Sequence, residues 1–277
     1  MAFFKDPNFD VTHRLTGFNR YRQLLYFYTL RWMKVNLLTV LGSVPLAAAI
    51  ILSLATSSIV VLIPSTIVGG MIFGPFFAGM FDSIMRGLRD APDEWQEHYK
   101  KSWKQNWKDS LFPGAIFGLL SGMFIFMIRV MWVAQVAPDW GTMALFLFSF
   151  MLFLIITTLY WPQMVLFKQN LGWRLKNIIL FTAKHFWKMF RVALLELVYI
   201  LLYALFAPWT LALVPFIGFW YIIFLSELLI YKEFNEDFNV EKTYYELEGD
   251  PWRVGDFDIL ERLAEEEDKK EREKYSE

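Results

Sequence analysis

Six stretches of this chain stay apolar for about the length of a bilayer crossing: 35–54, 59–81, 111–133, 143–166, 192–209 and 211–230. An α-helix rises about 1.5 Å per residue, so a hydrocarbon core of about 30 Å takes roughly 20 such residues. Polar positions are scarce inside these stretches and dense between them, and the alternation that marks strands is missing. The pattern predicts an all-α fold, a polytopic membrane helical bundle. A lipid-facing barrel, the only other structure that satisfies its backbone in hydrocarbon, needs short alternating strands. The connections differ in length. Those at 55–58, 134–142 and around Pro208 and Trp209 are short, whereas the others are long and polar. This predicts three hairpins, with 1–34 as a leading segment, 35–230 as the six-helix membrane domain and 231–277 as a tail.

The long connections carry a second periodicity. Trp95, Tyr99, Trp103 and Trp107 recur every four residues, with Lys100, Lys101, Lys104 and Lys108 mostly beside them. On a helix that spacing draws an aromatic stripe along one face. Trp and Tyr favour the headgroup level and Lys extends to phosphates, so one reading is an amphipathic helix lying on the inner leaflet. The other is a cap packed against the spans. The segment 171–190 repeats the recipe, with Trp173, Phe181, Phe186, Trp187 and Phe190 beside Lys176, Lys184 and Lys188. A Trp close to a Lys precedes each hairpin, at Trp32, Trp107 and Trp187, which suggests a threefold pseudo-repeat.

Composition and charge give the bundle an orientation. The chain is 56% apolar and 19% aromatic with mean hydropathy +0.35, too apolar for an ordinary soluble domain. Its basic residues fall into four blocks, before Val35, between Phe81 and Leu111, between Leu166 and Val192, and after Ile230; only Arg129 stands apart. Apolar stretches separate the blocks, so the positive-inside rule assigns all four, and both termini, to the cytoplasmic side of the cell membrane. The tail after Ile230 carries 17 acidic and 8 basic residues, the remainder 11 acidic and 19 basic. A basic body suits an anionic inner leaflet, and no nucleic acid is needed to explain it. Within the acidic tail, 231–258 reads as extended or partly ordered and 259–274 as a solvated helix. Residues 1–34 lack an apolar core followed by a cleavage site, so the first span is expected to serve as an uncleaved signal.

Candidate chemistry is sparse. Intramembrane charges are functional candidates because burying them is costly, and three qualify: Arg129, Glu196 and Glu227. Glu196 lies roughly 7 Å inside the inner boundary and Glu227 at a similar level, whereas Arg129 lies roughly 6 Å from the outer one. Arg129 is thus too distant in height to pair with either acid; it is expected to extend to outer phosphates or to Asp139. For the glutamates the expected partners are Arg191, Lys188, Arg31, Lys34 and Arg86, forming a structural cluster or a sensing site. Gly70 and Gly74 form a small-xxx-small pair that lets two helix backbones approach, and Pro75 predicts a kink. No zinc helix, phosphate loop or dinucleotide fingerprint is present, cysteine is absent, and His13, His98 and His185 have no metal-ligand spacing. The expectation is a non-enzymatic protein without a cofactor.

The stretch Gly74-Pro75-Phe76-Phe77-Ala78-Gly79-Met80-Phe81, then Met85-Arg86 and Leu88-Arg89-Asp90, resembles the YesL-like family of bacterial integral membrane proteins. The aromatic-basic run from Trp103 to Lys108, the opening Met1-Ala2-Phe3-Phe4 and the entry Asn36-Leu37-Leu38 fit the same resemblance, which covers roughly residues 1 to 235. The apolar residues between Pro45 and Gly74 and the acidic tail depart from it. What the resemblance implies is an accessory or regulatory role beside the permease subunits of a carbohydrate ABC uptake system, and no catalytic residues. The competing expectation is a small-solute transporter or channel with its polar site near Glu196 and Glu227.

Overall fold

The structure, a computed structural model, describes residues 15–91, 95–134 and 138–241. Among them every long element is an α-helix: α1 (Gly17–Thr56), α2 (Ile59–Leu88), α3 (Trp95–Ala134), α4 (Trp140–Leu166), α5 (Leu171–Lys184), α6 (Phe186–Leu205), a one-turn α7 (Val214–Ile217) and α8 (Phe219–Phe238). Four of them, α1 to α4, are long and apolar enough to cross a membrane. A fifth crossing is counted if α6 and the segment Trp209–Ile217 are joined across their 115° bend. This is an all-helical chain compatible with a membrane bundle.

The expected sixth span, 211–230, is not one continuous helix. Its first part is a 3-10 turn (Trp209–Leu213) followed by α7, and the chain breaks at Gly218 before α8 begins. Pro215 lacks a backbone donor and fits only the first turn of a helix, where α7 holds it. Gly218, at ψ −86°, leaves helical geometry. Past the break, α8 carries Glu227, Lys232, Glu233, Glu236 and Asp237.

At the centre of the bundle lies α2, packed lengthwise against both α1 and α3. The α2–α3 seam has a direct sequence cause. Along α3 the residues Ser102, Asn106, Ser110, Gly114, Gly118 and Gly122 recur every four positions and are buried, and along α2 so do Thr66, Gly70, Gly74 and Ala78. Without side chains in the way the backbones touch. A Cβ on Gly70 would lie 2.2 Å from the Gly114 carbonyl oxygen, and one on Gly74 would lie 2.3 Å from that of Ser110. Such close approach is how helices associate where lipid removes the hydrophobic drive.

The same seam decides the aromatic stripe. Residues 95–107 are not a separate helix on the leaflet; they are the first turns of a 40-residue α3. Because α2 continues to Leu88, these turns have a partner throughout, and Tyr99 packs over Gly79, where a Cβ would lie 2.6 Å from its ring. Trp95 is half-buried beneath the Lys34 ammonium, 5.2 Å from its ring, whereas Trp103, Trp107, Lys104 and Lys108 are exposed. By contrast α5 is a separate amphipathic helix. Asn170 caps it by accepting from Trp173 N, it buries Arg174, Ile178 and Phe181, and it exposes Trp173, Ile179 and Leu180.

The three hairpins do not share one geometry. The first is packed along its length, α3 and α4 touch little, and α4 leans instead on α6. Helix α8 also claims the first residues of the expected extended tail, through Phe238, because Phe234 and Phe238 pack against Phe167 and Phe181. The rest of the tail, including the expected helix at 259–274, and residues 1–14 lie outside the described residues.

Candidate functional site

Helices α6 and α8 each carry one buried stripe, and each stripe contains one acid. On α6 the buried positions are Met189, Val192, Ala193 and Glu196; on α8 they include Trp220, Ile223, Phe224, Glu227, Ile230 and Phe234. Both follow the i, i+3, i+4, i+7 spacing of a helix face turned to the core. The glutamates therefore occupy positions where packing calls for an apolar residue, and both border one cavity beside the α6–α8 contact.

The two are treated differently. Glu196 accepts a hydrogen bond from the Thr158 hydroxyl of α4 at 2.6 Å. Glu227 is 1% exposed, and neither of its oxygens has a hydrogen-bond partner among the described residues. None of the expected cationic partners reaches them. Lys188 pairs with Glu233, Arg86 with Asp82 at 3.1 Å, Lys34 lies over Trp95, Arg31 over Tyr28, and Arg191 Nε donates to Trp187 O. Each of these cations finds a nearer acceptor or ring on its own or a neighbouring helix, so the cluster tying the helix ends together does not include Glu196 and Glu227.

Both acids line a cavity of about 400 Å³ between α2, α3, α4, α6 and α8. Its wall is largely apolar and includes the rings of Phe77, Phe117, Phe153 and Tyr199, with the Thr158 and Ser226 hydroxyls beside the carboxyls and no basic side chain among the described residues. Burying an unpaired carboxylate costs several kcal/mol even after relaxation, roughly doubled for two side by side. This cavity therefore requires positive charge, as a proton or as a bound cation.

The floor of the cavity is held by a clasp that local sequence patterns do not announce. At the Gly218 break Pro215 O and the Phe219 and Trp220 amides have no helical partner, and such irregular backbone is tolerated in a membrane bundle only where protein satisfies it. Asn36 of α1, fully buried, does this from both sides of its amide. Its Nδ2 donates to Val214 O and Pro215 O, each at 2.8 Å, and its Oδ1 accepts from Phe219 N at 2.9 Å and Trp220 N at 3.2 Å. Tyr199 of α6 completes it, its hydroxyl lying 2.7 Å from Ile217 O and 2.9 Å from Gly218 O.

At the basic end a second contact joins α5, α6 and α8. Lys184 pairs with Asp237, Lys188 with Glu233, and His185 Nε2 lies 3.0 Å from Asp237 Oδ2. Partial burial pushes both carboxyls upward, but the lysine hydrogen bonds and charges outweigh it and hold Glu233 and Asp237 below the usual carboxylate range. At the opposite end Arg129 is exposed and has no ion pair with Asp139 among the described residues. Asp139 instead caps α4, accepting from Thr142 N at 3.0 Å and from its hydroxyl at 2.7 Å, because the cap position places it over the free amides of the first turn. Trp187 is exposed, beside the paired Lys188.

No protein-family model, curated protein or solved structure matches the chain.

Proposed function

We propose that this is a multi-pass protein of the cell membrane, with its basic end cytoplasmic, that binds a small cationic solute at Glu196 and Glu227 and passes it across the bilayer. One observation carries the reading: two carboxyls buried at a largely apolar cavity, one of them with no hydrogen-bond partner and neither with a cation beside it among the described residues. The positive-inside rule supports this orientation: the Lys- and Arg-bearing ends of α1, α2 and α3 meet through Arg20–Asp90 and Lys34–Trp95, and those of α5, α6 and α8 through Lys184–Asp237 and Lys188–Glu233. The broken segment 209–217 beside the cavity supports it further, because interrupted helices are a recurrent way to build a solute site inside a bundle.

The test is binding and uptake in proteoliposomes, using radiolabelled tetramethylammonium and tetraphenylphosphonium as hydrophilic and lipophilic monocations. At least one is expected to bind saturably and to lose that binding in Glu227→Gln. If neither shows Glu227-dependent binding or uptake, the reading is wrong.

The accessory role beside carbohydrate permease subunits is the second reading. It rests on the resemblance carried by the Gly74 to Phe81 and Trp103 to Lys108 stretches, and both stretches lie in or beside the α2–α3 seam. Recovery of permease subunits with the protein from mild detergent would support it; repeated recovery of the protein alone would count against it.

A further inference from the structure

Building on the proposed cation site, we infer that its ligand is a lipophilic organic monocation that enters sideways from the bilayer, between α3 and α4. The lining decides the class. A calcium or magnesium ion is held by about six or more oxygens converging on one point, whereas the exposed wall of this cavity is almost wholly apolar and its hydroxyls are spread over several helices. Aromatic faces bind organic cations well once water is excluded, and Phe77, Phe117, Phe153 and Tyr199 supply such faces around the carboxyls. A volume of about 400 Å³ also lies within the range of small-molecule sites.

The route follows from a second opening. A cleft of about 320 Å³ lies between α3 and α4, on the side where those helices scarcely touch. Its rim consists of Phe112, Ile116, Leu152 and Ile156, apolar side chains exposed on the surface of helices apolar enough to face lipid. Cleft and cavity share Phe117, Phe124, Phe153 and Thr157, so along this route a single partition stands between lipid and the acids. It is thin: Thr157 borders both spaces, and its neighbour Thr158 donates to Glu196. It is also soft, since the Phe117 and Phe153 rings stand 5.4 Å apart and Phe124 and Phe153 5.6 Å apart, contacts that rotamer changes open without breaking a hydrogen bond. A ligand dissolved in the acyl chains meets an apolar cleft, an aromatic partition and then negative charge. A hydrophilic ion has no reason to take that path.

The experiment compares tetraphenylphosphonium, tetramethylammonium and the anion tetraphenylborate on the whole protein in nanodiscs. Saturable binding of tetraphenylphosphonium is expected, weakened at least about tenfold in both Glu227→Gln and Glu196→Gln, with no binding of tetraphenylborate. Both variants keep the side-chain shape, and only those eluting as monodisperse protein are compared. Glu227-dependent binding of tetramethylammonium but not tetraphenylphosphonium overturns the lipophilic class and leaves the proposed function standing. Absence of Glu227-dependent binding of either cation overturns both. The route is read separately in the cysteine-free chain with Thr157→Cys. Its thiol is expected to react with a bilayer-dissolved maleimide and to be protected by tetraphenylphosphonium; reaction only with a membrane-impermeant thiosulfonate overturns lateral entry.

Discussion

Replacing Asn36 tests whether one side chain holds the broken segment in place. Asn36→Leu keeps the volume of the buried side chain and removes all four of its hydrogen bonds. Val214 O keeps one partner, since Gly218 N donates to it at 2.9 Å. Three groups lose theirs: Pro215 O, and the Phe219 and Trp220 amides, which open α8 and have no intrahelical acceptor. A buried group left unsatisfied costs about 1–3 kcal/mol, so an upper figure near 6 kcal/mol follows for the three at about 2 each. Side-chain hydrogen bonds measured in membrane proteins average about 0.6 kcal/mol, which for the clasp sets a floor of about 2 kcal/mol.

Asn36→Asp separates the two halves of the clasp. Ionised, it keeps an oxygen for the Phe219 and Trp220 amides and turns the other toward two carbonyls, replacing attraction by repulsion; protonated, it keeps one donor where Asn36 has two. It is expected to destabilise, and increasingly as the pH is raised. The assay is titration with dodecyl sulfate from neutral micelles, followed by far-ultraviolet circular dichroism, with the wild type and both variants in parallel. An Asn36→Leu protein within about 0.5 kcal/mol of the wild type would refute the clasp, since that is the scatter of inert surface changes. An Asn36→Asp protein as stable as the wild type even in alkaline buffer, where the carboxyl is driven to ionise, would refute the direction assigned to its donor. Tetraphenylphosphonium affinity should fall in both, because α8 carries Glu227 and its first turn borders the cavity.

In the α2–α3 seam, Gly114→Ala would put a methyl 2.4 Å from the Gly70 carbonyl oxygen, so an overpacking loss of about 1–3 kcal/mol is expected in the same titration. Gly172→Ala is its control: the nearest atom lies 3.5 Å from the added Cβ, so helix propensity predicts no loss there, and equal effects at the two sites would contradict the seam. The contact of Glu233 and Asp237 with Lys188 and Lys184 makes a prediction about pH. Carboxyls held below their ordinary value contribute stability that is complete above about pH 4 and lost as pH falls through their lower folded values. Amide exchange of α5, corrected for intrinsic rate, should stay level from pH 7 to about 5 and rise below about 4. A rise already between pH 6 and 5 would show that another group controls the contact.

How much of this was legible depends on whether a feature repeats along one helix or joins two distant ones. The turn at Ser57, the start of α2 at Ile59 and the burial of Glu196 and Glu227 all follow from local apolar patterning, because a helix face repeats every three to four residues. The seam repeats too, yet α3 carries two four-residue series on neighbouring faces. The Trp95 to Trp107 series invites an interfacial reading, whereas the Ser102 to Gly122 series is the one α2 covers. Aromatic size draws the eye to the first; close packing is decided by the second, where the absence of side-chain volume is the signal. The clasp has no period at all. Asn36 and the backbone it holds are separated by 178 to 184 residues, and an Asn near the start of an apolar stretch is as compatible with a solvated helix end as with a buried one. The surplus apolar length of 192–230 disguises the break in the same way, since Pro215 and Gly218 are tolerated in many continuous spans. What distinguishes them here is that α1 and α6 offer Asn36 and Tyr199 at the right height, a property of the assembled bundle. Glu227, without a hydrogen-bond partner among the described residues, belongs to the same kind of fact: an acid on a buried stripe is readable, but that none of these cations comes to meet it is decided by where Lys188, Arg86 and Lys34 find other partners.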